Sequence, residues 1–144
     1  MSEPTRVRWS HVGLNCADLD ATEAFYTRYF GFERARVVDL GDDRIVFLRK
    51  DAAYLELFHS TAPSAGPGTG DGPQAPGTIR HLAFQVDDLE AFQALLGADV
   101  PVTLGPLHFD DFIEGWRTVW VTDPDGVVVE VSQGYRDEAA PAAA

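Results

Sequence analysis

The sequence is poor in positive charge. It has 11 Lys and Arg against 23 Asp and Glu, which gives a formal net charge of −12. Such an acidic chain repels phosphates and anionic headgroups, so the composition argues against nucleic-acid and membrane partners. Apolar runs fall well short of the roughly 20 residues that a spanning helix needs, and the first residues lack the apolar core of a secretory signal. We therefore expect a cytoplasmic protein without nucleic-acid or membrane partners.

Cysteine is almost absent as well. Cys16 is the only one, so the chain cannot form an internal disulfide, which fits a reducing compartment. The hydrophobic content of 45% is ordinary for a globular chain, and 144 residues suggest one compact unit, built here from two half-size modules.

An internal repeat supports this division. The stretch from Ile79 to Leu96 matches the stretch that starts at Trp9, 70 positions earlier. His81 then coincides with His11, and the Asp88-Leu89 step with Asp18-Leu19. Each copy has the pattern of a strand with His near its start, an Asp cap and an amphipathic helix. A repeat in so short a chain defines its architecture.

The remaining patterns predict three further strands in each copy. Each half is then a βαβββ module, and two copies packed edge to edge would make a curved, eight-stranded mixed sheet of the α+β class. We predict a first strand at 7–15, its counterpart at 79–86 and a loop at 105–115. The predicted organisation is a flexible N-terminus (1–6), a first module (7–59), a linker (60–77), a second module (78–135) and a disordered tail (136–144).

The linker, residues 60–77, is rich in Pro, Gly, Ser, Thr and Ala. Such a composition buries little apolar surface, so we expect a mobile segment on the nanosecond scale. A passive tether is favoured over an active-site lid.

Two carboxylates stand out because they lie inside apolar strands. Glu56 lies within Tyr54–Phe58, and Glu130 lies within Val127–Val131. A charged group in a buried strand is costly unless it is paired or binds a metal. The same anomaly occurs in the last predicted strand of both copies, as the histidines occur in the first. Two imidazoles and two carboxylates suit an open-shell divalent metal.

With these motifs the chain resembles the vicinal oxygen chelate superfamily, which includes glyoxalase I, methylmalonyl-CoA epimerase, extradiol dioxygenases, fosfomycin-modifying thiol transferases and bleomycin-binding proteins. The resemblance covers residues 7 to about 134. The matching stretches are Trp-Ser-His-Val-Gly-Leu, Asp-Leu-Asp-Ala-Thr-Glu-Ala-Phe-Tyr and Tyr-Leu-Glu-Leu-Phe in the first half, then Arg-His-Leu-Ala-Phe-Gln-Val-Asp-Asp-Leu and Asp-Pro-Asp-Gly-Val-Val-Val-Glu-Val in the second.

The resemblance implies a metal-binding cavity with ligands from the first and last strands of each module. By position these ligands are His11, Glu56, His81 and Glu130, and they would hold one divalent ion (Fe, Ni, Zn, Co or Mn). Glu56 and Glu130 are then the candidate catalytic carboxylates.

Other side chains are candidates for contact with the substrate. They are Tyr54, Phe58, His108 and Trp120. By strand parity His59 points away from Glu56, so we expect it to be exposed and not a ligand.

Three functional classes remain open. The first is a metal-dependent isomerase, epimerase or lyase, in which the metal chelates neighbouring substrate oxygens as a Lewis acid and a glutamate moves the proton. The second is an Fe(II) dioxygenase, which uses two histidines and one carboxylate, so that Glu56 would be surplus. The third is a drug-binding resistance protein, for which the intact ligand set is unexpected. Basic residues are too scattered to form an evident subsite for glutathione or coenzyme A.

Each half supplies only two ligands, so the site needs two halves, from one chain or from two. As a flexible coil, an 18-residue linker spans roughly 20–25 Å and permits either arrangement. A homodimer is expected, because curved sheets leave edges that need cover.

Overall fold

A computed structural model describes residues 2–140 of the protein. Within this range the chain forms eight strands and two helices. In chain order they are β1 (His11–Cys16), α1 (Leu19–Phe30), β2 (Glu33–Asp39), β3 (Arg44–Lys50), β4 (Ala53–His59), β5 (Leu82–Gln85), α2 (Leu89–Leu96), β6 (Val102–His108), β7 (Arg117–Thr122) and β8 (Val128–Gln133). The predicted α+β class and the two βαβββ modules are thus confirmed, with β1–β4 as the first module and β5–β8 as the second.

The chain divides into two compact units, one up to Ala65 and one from Gly66. Each unit contains one four-stranded mixed sheet. The strand order is β1-β4-β3-β2 in the first and β5-β8-β7-β6 in the second. In both, the first strand runs parallel to the last, and the other pairs are antiparallel. The topology therefore brings the start and the end of each module side by side.

Both helices begin at an aspartate cap, which is Asp18 in the first and Asp88 in the second. The Asp18 side chain accepts a hydrogen bond from the Ala21 N–H at 3.1 Å, and Asp88 accepts one from Ala91 at 3.0 Å. Such caps satisfy a backbone donor that the first helical turn leaves unpaired. Helix α1 ends at Gly31, whose φ of 72° is the left-handed conformation that glycine adopts without strain.

One face of the first sheet packs under α1. Its buried side chains include Leu14, Leu55 and Leu57. Helix α1 contacts β4, and Phe25 and Tyr26 are among its buried residues. Since side chains alternate along a strand, the residues between these leucines, Glu56 among them, lie on the opposite face.

Both first strands are shorter than predicted. Val7 and Ile79 were expected to be in strands, but their side chains are 91% and 71% exposed and both precede the strands. Each first strand begins where its pairing with the parallel neighbouring strand begins. The β1–β4 pairing starts with His11 opposite Tyr54, and the β5–β8 pairing starts with Leu82 opposite Val129. An alternating sequence pattern cannot show where the neighbouring strand stops.

The predicted loop at 105–115 is wrong in its first part. Strand β6 continues through Gly105 and Pro106 to His108, with register shifts between Val102 and Leu107. A proline is tolerated there because β6 lies at the edge of its sheet, where a missing N–H breaks no ladder on the open side. The connecting loop is therefore confined to residues 109–116.

Residues between β4 and β5 form no regular helix or strand. Most of them, from Gly66 onward, are grouped with the second unit. The predicted mobility of this segment stays a prediction. The predicted tail reaches residues 141–144, which lie outside the described residues. In the described part of the chain, no helix has the length and apolar character needed to span a bilayer.

Candidate metal centre

The first module brings His11 and Glu56 together on the sheet face away from α1. Their strands are parallel neighbours, and Glu56 lies opposite Gly13, two residues beyond His11. The His11 Nε2 atom is 2.8 Å from Glu56 Oε2, and its Nδ1 atom is 2.7 Å from the Ser10 hydroxyl oxygen. The Glu56 side chain is only 16% exposed. This pair therefore forms a charge-assisted hydrogen bond when the imidazole carries a proton on Nε2.

The second module repeats this arrangement. Glu130 lies opposite Ala83, which is again two residues beyond the histidine. The His81 Nε2 atom is 3.6 Å from Glu130 Oε1, and both side chains are about one-fifth exposed. His81 Nδ1 lies 2.7 Å from the carbonyl oxygen of Asp71. A histidine and a glutamate thus lie close together at the same strand register in both modules.

The hydrogen bond to Asp71 determines which nitrogen of His81 carries the proton. A carbonyl oxygen only accepts, so Nδ1 must donate, and a neutral His81 then has a lone pair on Nε2. That lone pair and a Glu130 oxygen face each other at 3.6 Å. Two ligands at the usual 2.0–2.2 Å from one divalent ion lie roughly 3.0–3.4 Å apart, so this donor pair suits a metal.

Burial also affects Glu130. The pKa of its carboxyl is raised, chiefly because burial disfavours the charged form and secondarily because the Asp71 carboxylate is near; His81 acts in the opposite direction. The buried indole N–H of Trp120 also favours the carboxylate, without closing a well-formed hydrogen bond. A cation bound at Glu130 would offset the cost of burying this charge.

Aromatic side chains surround the first pair. Tyr54 and Phe58 flank Glu56 on the same strand and the same face, and both are half-buried. Phe47 lies opposite Glu56 on β3, and its ring meets His11 edge-on with 5.9 Å between centroids. Gly13 lies beneath Phe58, whose Cε2 atom would be 3.3 Å from an added Cβ. Sequence reasoning missed Phe47, although its place in an alternating strand was a signal.

The side chains next to His81 and Glu130 are more polar than those next to the first pair. Trp120 lies opposite Glu130 on β7, where Phe47 lies in the first module, and its ring is 6.4 Å from that of His81. Beyond it, the Ser132 hydroxyl is hydrogen-bonded to the Trp116 indole N–H at 2.9 Å and to Thr118 at 3.0 Å. Trp116, Thr118 and Ser132 were not predicted, although their two-residue spacing from Trp120 and Glu130 places them on this face.

Two other histidines lie apart from these pairs. His108 is exposed at the end of β6, opposite Arg117, and no contact within residues 2–140 joins it to Glu130. His59 ends β4 on the face opposite Glu56, and its Nδ1 is 3.2 Å from Asp43 Oδ2. The backbone N–H of Arg44, and less so His59, lowers the pKa of Asp43. His59 is therefore the partly exposed surface residue that parity predicts.

Each unit thus supplies two of the four predicted ligands. Inside either unit, no group of three or more His, Cys, Asp and Glu side chains among residues 2–140 is arranged to hold a metal ion. The joining of both pairs around a single ion stays a prediction.

Residues 8–131 match the Glyoxalase/Bleomycin resistance protein/Dioxygenase superfamily. The match spans most of the chain and both His–Glu pairs, so the chain belongs to this superfamily. The predicted resemblance is confirmed. The name of the superfamily covers both enzymes and resistance proteins, so membership alone leaves the reaction open.

Two relatives share about a third of their residues with this chain. The chain is 31% identical over 124 residues to the uncharacterized protein YaeR of Escherichia coli strain K12, with 84% of this chain and 92% of that protein covered. It is 32% identical to a glyoxalase family protein from Enterococcus faecalis, with a TM-score of 0.66 and coverage of 87% of this chain and 96% of that one.

A more distant structure shares the fold. It is a variant of FosX, a fosfomycin resistance protein from Listeria monocytogenes, complexed with Mn(II) and 1S,2S-dihydroxypropylphosphonic acid. The identity is 19%, the TM-score is 0.66, and 91% of this chain and 93% of that chain are covered.

Proposed function

We propose that the protein is a metal-dependent enzyme that chelates two neighbouring oxygens of a small substrate and catalyses proton transfer, as an isomerase, epimerase or lyase. The observation that supports this proposal is the repeated His–Glu pair. In both modules the glutamate lies opposite the residue two places beyond the histidine. A pair of largely buried carboxylates at matched positions is costly to keep without a function.

In this proposal His11, Glu56, His81 and Glu130 hold one divalent ion. When bound, the ion supplies Lewis acidity to a substrate carbonyl and an adjacent hydroxyl or carboxyl oxygen. The imidazoles stay neutral and orient the ion, and Glu56 or Glu130 takes the proton from the carbon beside the carbonyl. FosX, which shares the fold, has been observed with Mn(II).

The surroundings of the two pairs suggest how the substrate is oriented. Tyr54, Phe58 and Phe47 offer an apolar aromatic surface beside Glu56. Beside Glu130 lie the buried Trp120 side chain and the buried hydroxyl groups of Thr118 and Ser132, which are hydrogen-bonded to each other. The proposed substrate is a small oxygenated metabolite with one apolar end.

The first test measures Mn²⁺ binding to chelator-treated protein by isothermal titration calorimetry. His11→Ala and His81→Ala should each weaken binding at least about 100-fold, because each removes one ligand. His59→Ala is the matched control, since His59 is on the opposite face and bonds to Asp43. It should bind as the parent does. Parent-like affinity in His81→Ala would show that the ligand assignment is wrong.

The second test concerns the reaction. With the metal bound, 2-hydroxy-carbonyl and dicarbonyl compounds should exchange the proton beside the carbonyl with deuterated solvent, as NMR can record. Glu56→Gln and Glu130→Gln should each slow this exchange. Oxygen consumption without proton exchange would instead support an Fe(II) dioxygenase.

We also propose that the protein is a homodimer, because its sheets have edges that need cover. Mixing His11→Ala/Glu56→Ala chains with His81→Ala/Glu130→Ala chains tests how a site is completed. Recovery of Mn²⁺ binding on mixing would show that each site takes one pair from each chain. Sites completed within one chain would give no recovery.

A further inference from the structure

The two histidines are held in different ways. His11 Nδ1 meets the hydroxyl oxygen of Ser10, its neighbour in the chain. A hydroxyl both donates and accepts, so this contact is compatible with either tautomer of the imidazole. His81 Nδ1 meets a backbone carbonyl that only accepts, and that carbonyl belongs to Asp71, ten residues earlier. The segment that carries Asp71 was predicted to be a tether.

Several contacts fasten this segment to the second unit. We call residues 66–72 the strap. The Gly68 N–H donates to the carbonyl of Gly126 in the turn before β8 at 2.8 Å. The Thr103 hydroxyl of β6 donates to the carbonyl of Gly70 at 2.6 Å. These bonds lie on either side of Thr69, and both hold backbone atoms of the strap.

Close packing holds the end of the strap beside β5. Gly72 has a φ of 109°, and a Cβ at this position would lie 1.7 Å from the Arg80 carbonyl oxygen. Such a distance is far inside van der Waals contact, so only glycine fits. The Asp71 carboxylate is also 3.3 Å from Arg80 Nη1. The end of the strap is therefore held against Arg80, which is the residue that precedes His81.

We propose that the strap positions His81 for metal binding: the Asp71 carbonyl keeps the proton on Nδ1 and presents the Nε2 lone pair towards Glu130. Asp71 is thus a positioning residue that acts through its backbone oxygen. Groups behind metal-binding histidines commonly set ring orientation and ligand strength in this way. The role in metal binding rests on the proposed function, whereas the tautomer of His81 does not.

Gly72→Ala is the variant that tests the strap. The added Cβ cannot be accommodated beside Arg80, so the carbonyl of Asp71 should move away from His81. Gly77→Ala is the matched control. Gly77 also has a positive φ, of 90°, but an added Cβ there meets no atom within 4 Å. Both variants place alanine at a positive φ, and only Gly72→Ala also has the clash.

The first readout is the tautomer of His81 in metal-free protein, from ¹⁵N chemical shifts of the imidazole at about pH 8.5, above the ordinary histidine pKa of about 6.5. The parent and Gly77→Ala should show the Nδ1–H form. Gly72→Ala should show substantial Nε2–H form, which a free imidazole prefers. An Nε2–H form in the parent, or an unchanged Nδ1–H form in folded Gly72→Ala, would overturn the proposal.

The second readout is Mn²⁺ affinity by calorimetry. Gly72→Ala should lose roughly 10–100-fold, as expected when a group behind a metal ligand is removed. Gly77→Ala should stay close to the parent. Equal affinities for the two variants would contradict the positioning role. A parent that binds none of Mn²⁺, Fe²⁺, Co²⁺, Ni²⁺ and Zn²⁺ would refute the proposed function, and the tautomer would still decide whether the strap holds His81.

Two milder variants test individual contacts of the strap, and they can be used if Gly72→Ala does not fold. Thr103→Val removes the donor to Gly70 and should shift the tautomer in the same direction but less. Asp71→Asn keeps the carbonyl and removes the charge, so Nδ1–H should persist. If Asp71→Asn alone changed the tautomer, the carboxylate and not the carbonyl would be responsible.

Discussion

The two modules place a histidine and a glutamate at the same strand register but give them different partners. In the first, His11 and Glu56 are 2.8 Å apart and can satisfy each other. In the second, His81 bonds to the Asp71 carbonyl, and its Nε2 stands 3.6 Å from Glu130. The comparison shows that the repeat determines where these side chains lie, whereas their surroundings decide which hydrogen bonds they form.

The helices differ in a similar way. Helix α1 has 12 residues, and five of them are buried, whereas α2 has eight residues, with Leu89 and Leu96 buried. Phe25 and Tyr26 of α1 are 5.0 Å apart in an edge-to-face contact within an aromatic cluster. The first module therefore relies more on its helix for apolar burial.

The largest predicted effect follows from this difference. Phe25 is 7% exposed, whereas Leu95, its counterpart in the repeat, is 54% exposed. Phe25→Ala should lower the free energy of unfolding by about 3–5 kcal/mol, because it leaves a cavity in a packed cluster. Leu95→Ala should cost less than about 1 kcal/mol. Urea unfolding followed by circular dichroism measures both, and similar losses would show that α2 is as deeply packed as α1.

A smaller effect is expected at the helix caps. Asp18→Ala should destabilise the protein by about 1 kcal/mol, since the helix loses a side-chain acceptor at its first turn. Asp88→Ala should cost somewhat less, because Gln133 Oε1 accepts the Leu89 N–H at 2.9 Å and still holds the start of α2. Adding Gln133→Ala to Asp88→Ala should raise the loss above that of Asp18→Ala. The prediction would be wrong if Asp18→Ala and Asp88→Ala lowered the free energy of unfolding equally and Gln133→Ala added nothing to the loss in Asp88→Ala.

The smallest predicted effect is that of replacing each glutamate by glutamine, and its effect on stability has opposite signs in the two modules. In metal-free protein at pH 7, Glu56→Gln should destabilise by about 0.5–1 kcal/mol, because it weakens a charge-assisted hydrogen bond of a partly exposed pair. Glu130→Gln should instead raise the melting temperature slightly. Burial raises the pKa of Glu130, so the folded protein pays a penalty once this group is ionised.

The pH dependence gives the control for this prediction. With its raised pKa, Glu130 keeps its proton to higher pH in the folded protein than in the unfolded chain, so its contribution to stability is lost as pH rises through the folded pKa. The gain from Glu130→Gln should therefore be present at pH 7 and vanish below about pH 4, where the unfolded glutamate is also protonated. A gain that is equal at both pH values would point to packing instead of charge.

Sequence patterns located much of the candidate site. The 70-residue repeat aligned His11 with His81, and alternation identified Glu56 and Glu130 as polar residues in apolar strands. Those signals are local, because they depend on side-chain period and on chain order. The same signals overextended β1 to Val7 and ended β6 too early, because the length of a strand depends on its neighbours.

The amino-acid sequence by itself determined the two βαβββ modules and the capped helices, since periodicity and caps act over a few residues. It also determined that a histidine lies at the start of each module and a glutamate in its last strand. Tertiary structure alone decided that β1 lies beside β4 and β5 beside β8, which brings each pair together. It also decided that the Asp71 carbonyl reaches His81. A backbone oxygen has no sequence signature, so its role is visible only when the folded chain places it against an imidazole.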